Sequence, residues 1–356
     1  MNTLLSRLVS RRTASASFPR FALSLLLPIA LLVRSSYAQD RVVLVGTGSS
    51  VPAPIYNRWA REYANASSNR MRYLPLGASE GLAHTAEGTG DFGAGEVPLS
   101  EKDRGEGHLL ELPVALIGIV PIYNIPGFRS DLHLSGAVLA EIFLGDIKSW
   151  DAPQIARLNP GRRLPSLPIQ VVNRPAGKGS NYVFSDFLSK ASTRFRAQIG
   201  VTSSPKWPVG QSVERSSDMT EKVRNTSGAI GYVEYEYALK SNLSQAWVLN
   251  SAGKYVKASP ESIVAACQAV EAPAWATLSA SLTNAPGPDT FPITSFTWIY
   301  LRKTSSDVIR ASALRDFLDW IYTQGQPFVT EEGYSELPVP LLSEVKHRVK
   351  KLSAAD

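Results

Sequence analysis

The sequence has one cysteine, Cys267, and four histidines among its 356 residues. A single cysteine cannot form a disulfide within the chain, so the fold has to depend on its hydrophobic core. Cys267 stands in the apolar stretch IVAACQAV, which is typical of a buried helical residue rather than of a reactive thiol. The sequence has no HxxxH pattern and no group of cysteines and histidines, so it predicts no metal site and no cofactor.

Acidic residues are absent from the first 38 residues, which contain five arginines. Within them, residues 21–33 form an apolar run that is too short to span a bilayer comfortably, because a spanning helix needs about 20 residues. Small residues at Ser36 and Ala38 occupy the positions that a signal peptidase reads. These features predict a signal peptide over residues 1–38 and a secreted or periplasmic mature chain. An organelle transit peptide and an uncleaved membrane anchor stay open as alternatives.

Excess positive charge is confined to this leader. The full chain has a formal net charge of +6, and removal of the five leader arginines leaves about +1. Nucleic-acid binding through bulk charge needs a basic surface, and the mature chain lacks that excess. The sequence therefore predicts no nucleic-acid partner.

Short apolar segments alternate with amphipathic stretches along the mature chain. In the first such stretch, Ile55, Trp59 and Tyr63 recur at helical spacing. Strands that alternate with helices indicate an α/β fold with mostly parallel sheets. The main strand predictions are residues 41–46, 70–76, 113–124, 168–173, 228–233 and 296–301.

Three strand-to-helix turns are rich in glycine and serine: GTGSSVPAP (46–54), GASEG (77–81) and RPAGKGSN (174–181). Each turn places unpaired N–H groups at the start of a helix, where the helix dipole also favours negative charge. The turns add hydroxyl donors and cations, namely Ser49, Ser50, Ser79, Ser180, Arg174 and Lys178. The three turns together predict a binding site for one oxyanion.

The stretch GASEG also fits the G-x-S-x-G nucleophile elbow of a serine hydrolase, with Ser79 as the nucleophile. A triad needs a histidine after the nucleophile, yet His84 lies in the same predicted helix and His347 lies in a basic tail. His108 and His133 stand among charged and polar residues. The sequence therefore predicts a binding protein without catalytic residues, and the hydrolase is kept as an alternative. GKGS at 177–180 is not a Walker A loop, because the first glycine of that motif is missing.

Several long segments resemble the PstS-type periplasmic phosphate-binding proteins of bacterial phosphate ABC transporters. The matching segments include GTGSSVPAPIYNRWA, DFGAGEVPLS, FLGDIKSWDAPQIARLNPG, RPAGKGSNYVF, GAIGYVEYEYA and FPITSFTWIYL. The resemblance implies a type II periplasmic-binding-protein-like fold, in which each lobe is a mostly parallel sheet flanked by helices. It also implies two hinge crossings, with lobe I over residues 41–118 and 296–356 and lobe II over residues 119–295.

The resemblance further implies capture of inorganic phosphate, or a similar oxyanion, for uptake or sensing, with an ABC permease as partner in a bacterial host. The implied phosphate-binding set combines the matched positions with neighbouring hydroxyls: Ser49, Ser50, Val51, Ala78, Ser79, Glu96, Arg174, Lys178, Gly179 and Ser180. In the family, the acceptor at position 96 takes the proton of phosphate and so rejects sulfate, which has no proton to offer.

The sequence departs from the family pattern at four positions. Ala78 replaces a serine, Glu96 an aspartate, Ala176 an aspartate and Lys178 a serine. We therefore expect Ser79 to supply the missing hydroxyl, Arg174 to be less restrained, and Lys178 to pair with Glu96 or touch the ligand. Two alternatives remain open besides the hydrolase, namely binding of another anion and a diverged secreted module that binds a protein partner.

Overall fold

The computed structural model describes residues 41–106, 108–270 and 280–353, and the signal-peptide prediction for residues 1–38 lies outside them. The strands are β1 Val43–Gly48, β2 Arg70–Leu74, β3 Phe92–Gly95, β4 Leu109–Tyr123, β5 His133–Leu134, β6 Gln170–Asn173, β7 Gln211–Ser212, β8 Ala229–Glu234, β9 Ser244–Gln245, β10 Trp247–Leu249, β11 Tyr255–Val256 and β12 Thr294–Arg302. The helices are α1 Ala53–Ala66, α2 Ala78–Glu87, α3 Glu101–Gly105, α4 Gly136–Leu144, α5 Pro153–Leu158, α6 Gly179–Ala191, α7 Thr193–Gln198, α8 Ser216–Asn225, α9 Tyr235–Ser241, α10 Pro260–Gln268, α11 Val308–Thr323, α12 Pro327–Glu331 and α13 Val339–Ser353.

Helix α1 shows how the sequence pattern produces the packing. Tyr56, Trp59 and Tyr63 lie on one face of this helix and are buried. The ring of Tyr56 stacks on Tyr73 of β2 with a centroid distance of 4.6 Å, and it stacks on Phe92 of β3 at 5.5 Å. Because aromatic side chains bury large apolar areas, this face fixes α1 against the sheet.

The main sheet runs in the order β2-β1-β3-β12-β4-β8-β6-β7, and β9 pairs with β4. The outer pairs are parallel: β1 with β2 and β3, and β6 with β8 and β7. The pairs of β12 with β3, of β12 with β4 and of β4 with β8 are antiparallel. Strands β5, β10 and β11 form a small second sheet. The predicted α/β fold is confirmed, and its main sheet is mixed, because β12 and β4 join the two parallel halves through antiparallel pairs.

Strand β4 joins the two halves of the main sheet. Its first part, Leu109 to Gly118, pairs with β12, and its second part, Ile119 to Tyr123, pairs with β8. A Cβ atom on Gly118 would lie 2.8 Å from Cδ1 of Ile263, so glycine lets helix α10 approach this point closely. The change of partner coincides with the lobe boundary that the resemblance implies between residues 118 and 119.

Helix α10 also contains Cys267, which is fully buried, as the sequence predicted. Burial raises the pKa of its thiol to about 12. Within the described ranges, no helix is long and apolar enough to cross a membrane.

Candidate functional site

The turn that precedes α2 touches the turn that precedes α6. The backbone N–H of Ala78 donates a hydrogen bond to the carbonyl of Gly177, with an N···O distance of 3.2 Å. The hydroxyl oxygen of Ser79 lies 3.8 Å from the position that a Cβ on Gly177 would occupy. Strands β2 and β6 stand near opposite ends of the sheet order, so this contact closes a cleft over the carboxyl ends of the strands.

Glu96 lies inside this cleft, directly after β3, and its side chain is 0% exposed. The hydroxyl of Thr297 donates a hydrogen bond of 3.0 Å to Oε1. Burial raises the pKa of this carboxyl to about 8, since desolvation outweighs the hydrogen bonds from Ser49 and Thr297 that lower it. The nearby charge of Glu234 raises the pKa further. The carboxyl therefore holds a proton at neutral pH in the closed cleft.

Helix α6 begins against the Glu96 carboxyl. A methyl group on Gly179 would overlap that carboxyl, because its Cβ would lie 2.8 Å from Cδ of Glu96. Ser180 follows in the first turn of the helix and is 1% exposed. The first N–H groups of a helix have no intrahelical partner, and the helix dipole favours negative charge at this end. The arrangement suits an oxyanion.

The turn after β1 borders the same carboxyl, since the Ser49 side chain is one of the groups that lower the pKa of Glu96. Ser49 also accepts a hydrogen bond of 3.1 Å from the N–H of Val51, and its carbonyl accepts one of 2.7 Å from the Tyr73 hydroxyl. The carbonyl of Val51 accepts a hydrogen bond of 2.6 Å from Tyr334. Ser50 is half-buried beside them. Internal bonds thus hold this turn in place before any ligand arrives.

Arg174 is 0% exposed and is held from two sides. Its Nη1 donates to the hydroxyl of Ser216 at 3.1 Å, and its Nη2 donates to the carbonyl of Glu214 at 2.7 Å. Its Nη1 also lies 4.0 Å from Oε1 of Glu234. Ala176 cannot pair with this arginine, and Ser216, Glu214 and Glu234 restrain it instead.

Lys178 turns away from the Glu96 carboxyl. Its Nζ lies 3.0 Å from Oε2 of Glu214, whose side chain is 70% exposed. The expected pair between Lys178 and Glu96 is not formed in the described part of the chain. The physical reason is that a lysine ammonium keeps more of its hydration in a solvent-exposed pair than in a buried one.

Several buried polar atoms around the cleft have no hydrogen-bond partner among the described residues. Native proteins satisfy most buried polar atoms, so such a group of atoms indicates a place for a bound polar molecule. The atoms are Oε2 of Glu96, Oγ of Ser180, Nε of Arg174, both carboxylate oxygens of Glu234 and Oε1 of Glu236. The group combines hydrogen-bond donors with carboxyl oxygens, which suits a ligand that both accepts and donates.

The family model described as the PBP superfamily domain matches residues 35–324 of this chain. The phosphate-binding protein PstS of Pasteurella multocida is 36% identical over 308 residues, which cover 86% of this chain and 90% of that protein. This chain belongs to the PstS family. The phosphate-binding protein PstS of Haemophilus influenzae is 35% identical and covers 86% of this chain and 92% of its own length.

The fold of this PstS-family chain is similar to that of the phosphate-binding protein from Stenotrophomonas maltophilia. The TM-score is 0.65 at 17% identity, and the match covers 86% of this chain and 94% of that one. The expected family and the type II periplasmic-binding-protein-like fold are thereby confirmed. The ligand-binding residues stay predictions, because the comparisons do not test them.

The second turn of this PstS-family chain differs most from the predicted anion site. The N–H of Ala78 is used by Gly177. The Oε2 atom of Glu80 lies 3.7 Å from the position of a Cβ on Gly177, so a carboxylate already stands at the start of α2. Ser79 is exposed beside it. In this structure the second turn is thus bonded to the turn before α6, whereas the start of α6 borders the buried Glu96 carboxyl.

Ser79 has no histidine to activate it in the part of the chain that the structure describes. His84 lies further along the same helix, and His133 stacks on Tyr255 with a centroid distance of 4.1 Å. In the described residues no cluster of three or more metal-ligating side chains occurs. The geometry at Ser79 therefore does not assemble a catalytic triad.

Sequence reasoning missed the residues that contact the charged groups of the site. Thr297 contacts Glu96, and Ser216 and Glu234 contact Arg174. Thr297 stands in FPITSFTWIYL and Glu234 in GAIGYVEYEYA, two segments that carried the resemblance. Both residues are polar and stand in apolar strand segments. This could have identified them as candidates for the site, because polar residues in buried strands need hydrogen-bond partners. Ser216, in a polar stretch, gave no such indication.

Proposed function

We propose that this protein is an exported binding protein that captures inorganic phosphate in the cleft between two lobes, for uptake or sensing. The observation that carries the proposal is the position of Glu96. Its Oε2, which has no hydrogen-bond partner in the described chain, lies at the amino end of α6 next to Ser180. A carboxyl oxygen at an anion-favouring helix end suits a ligand that is both negatively charged and protonated, as phosphate is.

The proposed ligand contacts divide into donors and one acceptor. The amides of Gly179 and Ser180, the Ser180 hydroxyl and the Arg174 guanidinium donate to phosphate oxygens. The other two turns complete the proposed set with Ser49, Ser50, Val51, Ala78 and Ser79. The amides of Val51 and Ala78 join it only after they release Ser49 and Gly177. About five charge-assisted hydrogen bonds at roughly 1.5–3 kcal/mol each supply roughly 7–15 kcal/mol before the costs of binding. Micromolar affinity requires about 8 kcal/mol. The proposed contacts are therefore sufficient in number.

Glu96 provides the acceptor in its ionised form, which the donors around a bound phosphate favour over the protonated form of the empty closed cleft. When it accepts a hydrogen bond from a phosphate hydroxyl, a fully ionised oxyanion leaves that acceptor unpaired, which a buried site penalises strongly. Lys178 contributes only long-range charge in this proposal, since its side chain pairs with Glu214.

Ligand entry requires the cleft to open. The bond from Ala78 to Gly177 and the contact of Glu96 with Gly179 close it in this structure. We place lobe I at residues 41–118 and 296–356 and lobe II at residues 119–295, because β4 changes its pairing partner between Gly118 and Ile119. The hinge then lies where β4 and the segment before β12 pass between the lobes.

Export rests on the leader over residues 1–38, and the family match begins only at residue 35. In a bacterial host the mature chain would deliver phosphate to an ABC permease. The relatives are named as binding proteins, and capture rather than catalysis is the proposed activity.

Isothermal titration calorimetry on the mature chain tests this function. Phosphate and arsenate should bind at micromolar concentrations or below, and sulfate should bind at least roughly 100-fold more weakly, because it lacks the proton that Glu96 accepts. The absence of phosphate binding at millimolar concentrations would refute the proposal. Tighter binding of sulfate than of phosphate would point to a site for another anion.

A further inference from the structure

Glu234 lies at the point where β4 changes partner. It is the last residue of β8, and its backbone pairs with Ile119, the residue that follows Gly118. Its side chain is 0% exposed. Both carboxylate oxygens lack a hydrogen-bond partner among residues 41–106, 108–270 and 280–353. A fully buried carboxylate without partners is costly, so this residue needs a physical explanation.

Arg174 is the cation beside it. The Nη1 atom of Arg174 lies 4.0 Å from Oε1 of Glu234, which is too long for a hydrogen bond but close enough for a charge pair. The same Nη1 atom donates to the Ser216 hydroxyl, and Nη2 donates to the carbonyl of Glu214. Glu234 is thus the counter-ion of an arginine that also faces the proposed ligand, and its oxygens remain available to a donor.

Three buried carboxyls share this region with one guanidinium among the described groups. The charged and titratable side chains that interact electrostatically with Glu234 come from several elements: Arg174 before α6, Glu96 after β3, Tyr232 on β8, Glu236 and Tyr237 on α9, and Tyr334 after α12. Burial first, and the charge of Glu234 second, raise the pKa of Glu236. Burial also raises the pKa of Glu96 to about 8, so the protonated forms of Glu96 and Glu236 are favoured in this region.

We propose that Glu234 is a further specificity-determining residue of the anion site, as the counter-ion of Arg174 and as a second acceptor, beside Glu96, for a hydroxyl proton of the bound oxyanion. This inference rests on the proposed function. An oxyanion that contacts Arg174 comes close to the negative charge of Glu234. The repulsion between them is removed when the facing oxygen of the ligand carries a proton and donates it in a hydrogen bond to Glu234.

The proposal fixes the number of protons in the loaded site. With acceptors at Glu96 and Glu234, the complex holds two protons, either both on dihydrogen phosphate or one on hydrogen phosphate and one on Glu96. Above about pH 8, the Glu96 carboxyl of the free protein is ionised and phosphate in solution is hydrogen phosphate, which carries one proton. Formation of the complex then has to take up one further proton from the solvent. With a single acceptor at Glu96, hydrogen phosphate alone suffices and no uptake is needed.

The test variant is Glu234→Gln, which keeps the shape of the side chain but replaces one acceptor oxygen by a donor. Calorimetry with phosphate and with sulfate gives the sulfate-to-phosphate ratio, that is, the dissociation constant of sulfate divided by that of phosphate. This ratio should fall at least about tenfold in the variant, since a tenfold change corresponds to one modest hydrogen bond. Titrations of the wild type at about pH 9, in buffers of different ionisation enthalpy, should show uptake of close to one proton per phosphate, and the variant should show none.

Two further variants control for nonspecific effects. Asp91→Asn removes another carboxylate that binds an arginine, because Arg310 donates to Asp91 at 2.7 Å at the amino end of β3. This variant should lower stability and leave the sulfate-to-phosphate ratio unchanged. Glu234→Asp keeps a carboxylate acceptor, so its ratio should stay closer to the wild type than that of the glutamine variant.

The outcomes separate the two proposals. Wild-type protein that does not bind phosphate refutes the proposed function. Wild-type protein that binds phosphate, together with a glutamine variant whose ratio stays within about twofold, refutes the role of Glu234 alone. If the glutamine variant does not fold, the titration of the wild type tests the role of Glu234. Phosphate binding without proton uptake at about pH 9 would refute a second acceptor, and uptake of close to one proton would support it.

Discussion

The carboxyl group of Glu96 packs against Gly179 across the closed cleft. A Cβ on Gly179 would lie 2.8 Å from Cδ and 3.2 Å from Cβ of Glu96. Glu96 follows β3 and Gly179 starts α6, so this one contact joins the two sides of the proposed site. Space, rather than an unusual backbone conformation, requires glycine at position 179.

Gly179→Ala should therefore hinder closure of the cleft. The added methyl group collides with Glu96, and the lobes have to stay further apart to accommodate it. We expect phosphate affinity to fall about tenfold or more, which corresponds to roughly 1.4 kcal/mol, the low end of an overpacking cost. Calorimetry on the purified variant measures this change.

Gly105→Ala is the matched control for that variant. No described heavy atom lies within 4 Å of the position of a Cβ on Gly105, at the end of α3. The same change of residue should leave phosphate affinity unaltered there. Equal affinities for the two alanine variants would show that the contact between Glu96 and Gly179 does not matter for binding.

The stability of the ligand-free protein should fall as the pH rises from about 4.5 to about 8. Folding raises the pKa of Glu96 from 4.5 to about 8, so in this window the folded chain keeps a proton that the unfolded chain has lost. The unfolded state then binds fewer protons, and the free energy of unfolding decreases with pH until it levels off above about 8. Glu236, whose pKa is also raised by burial, contributes with the same sign.

Glu96→Gln should flatten this dependence. The slope of the free energy of unfolding against pH should become smaller by up to about 1.4 kcal/mol per pH unit, the value for one proton, and the share of Glu236 should remain. Urea unfolding at several pH values measures the slope. A variant with the slope of the wild type would show that Glu96 is ionised in the folded protein at neutral pH.

Lys178→Ala should change phosphate affinity less than about threefold. The Nζ atom of Lys178 pairs with an exposed carboxylate, and such surface pairs contribute roughly 0–1 kcal/mol. The remaining effect is long-range attraction, so it should diminish further when salt is added. Titrations at low and high ionic strength check this. A loss of affinity greater than tenfold would mean that the lysine contacts the ligand directly.

The thiol of Cys267 should be inert in the native protein. It is fully buried in α10, and burial raises its pKa to about 12, so little thiolate exists near neutral pH. An aromatic disulfide reagent should label about one thiol per chain in denaturant and almost none under native conditions. Rapid native labelling would indicate that α10 opens locally.

The glycine-rich turns could be predicted from the sequence, because the backbone conformation of a turn depends on the residues within it. A strand, then glycines and serines, then apolar residues at helical spacing specify a helix start with free amides. In this way the turn pattern predicts that Ser49 and Ser180 belong to one anion site, and the resemblance adds Gly179. The composition likewise placed Cys267 in the core.

The ion-pair and hydrogen-bond partners of the charged residues could not be predicted from the sequence, because they come from distant parts of the chain. Lys178 pairs with Glu214 rather than with Glu96, and Arg174 is held by Ser216 and Glu234 instead of a nearby aspartate. Side-chain direction and burial decide such pairs, and neither is encoded in the spacing of residues along the sequence.

The sequence by itself determined the α/β fold and predicted the three anion-favouring turns, since both follow from local backbone preferences and hydrophobic periodicity. Glu96 entered the predicted site only through the resemblance to the PstS-type proteins. The tertiary structure alone decided that Glu96 contacts Gly179, that Ala78 in the second turn bonds to Gly177, and that Glu234 lies beside Arg174. The physical reason is that desolvation and charge pairing depend on which surfaces the folded sheet brings together.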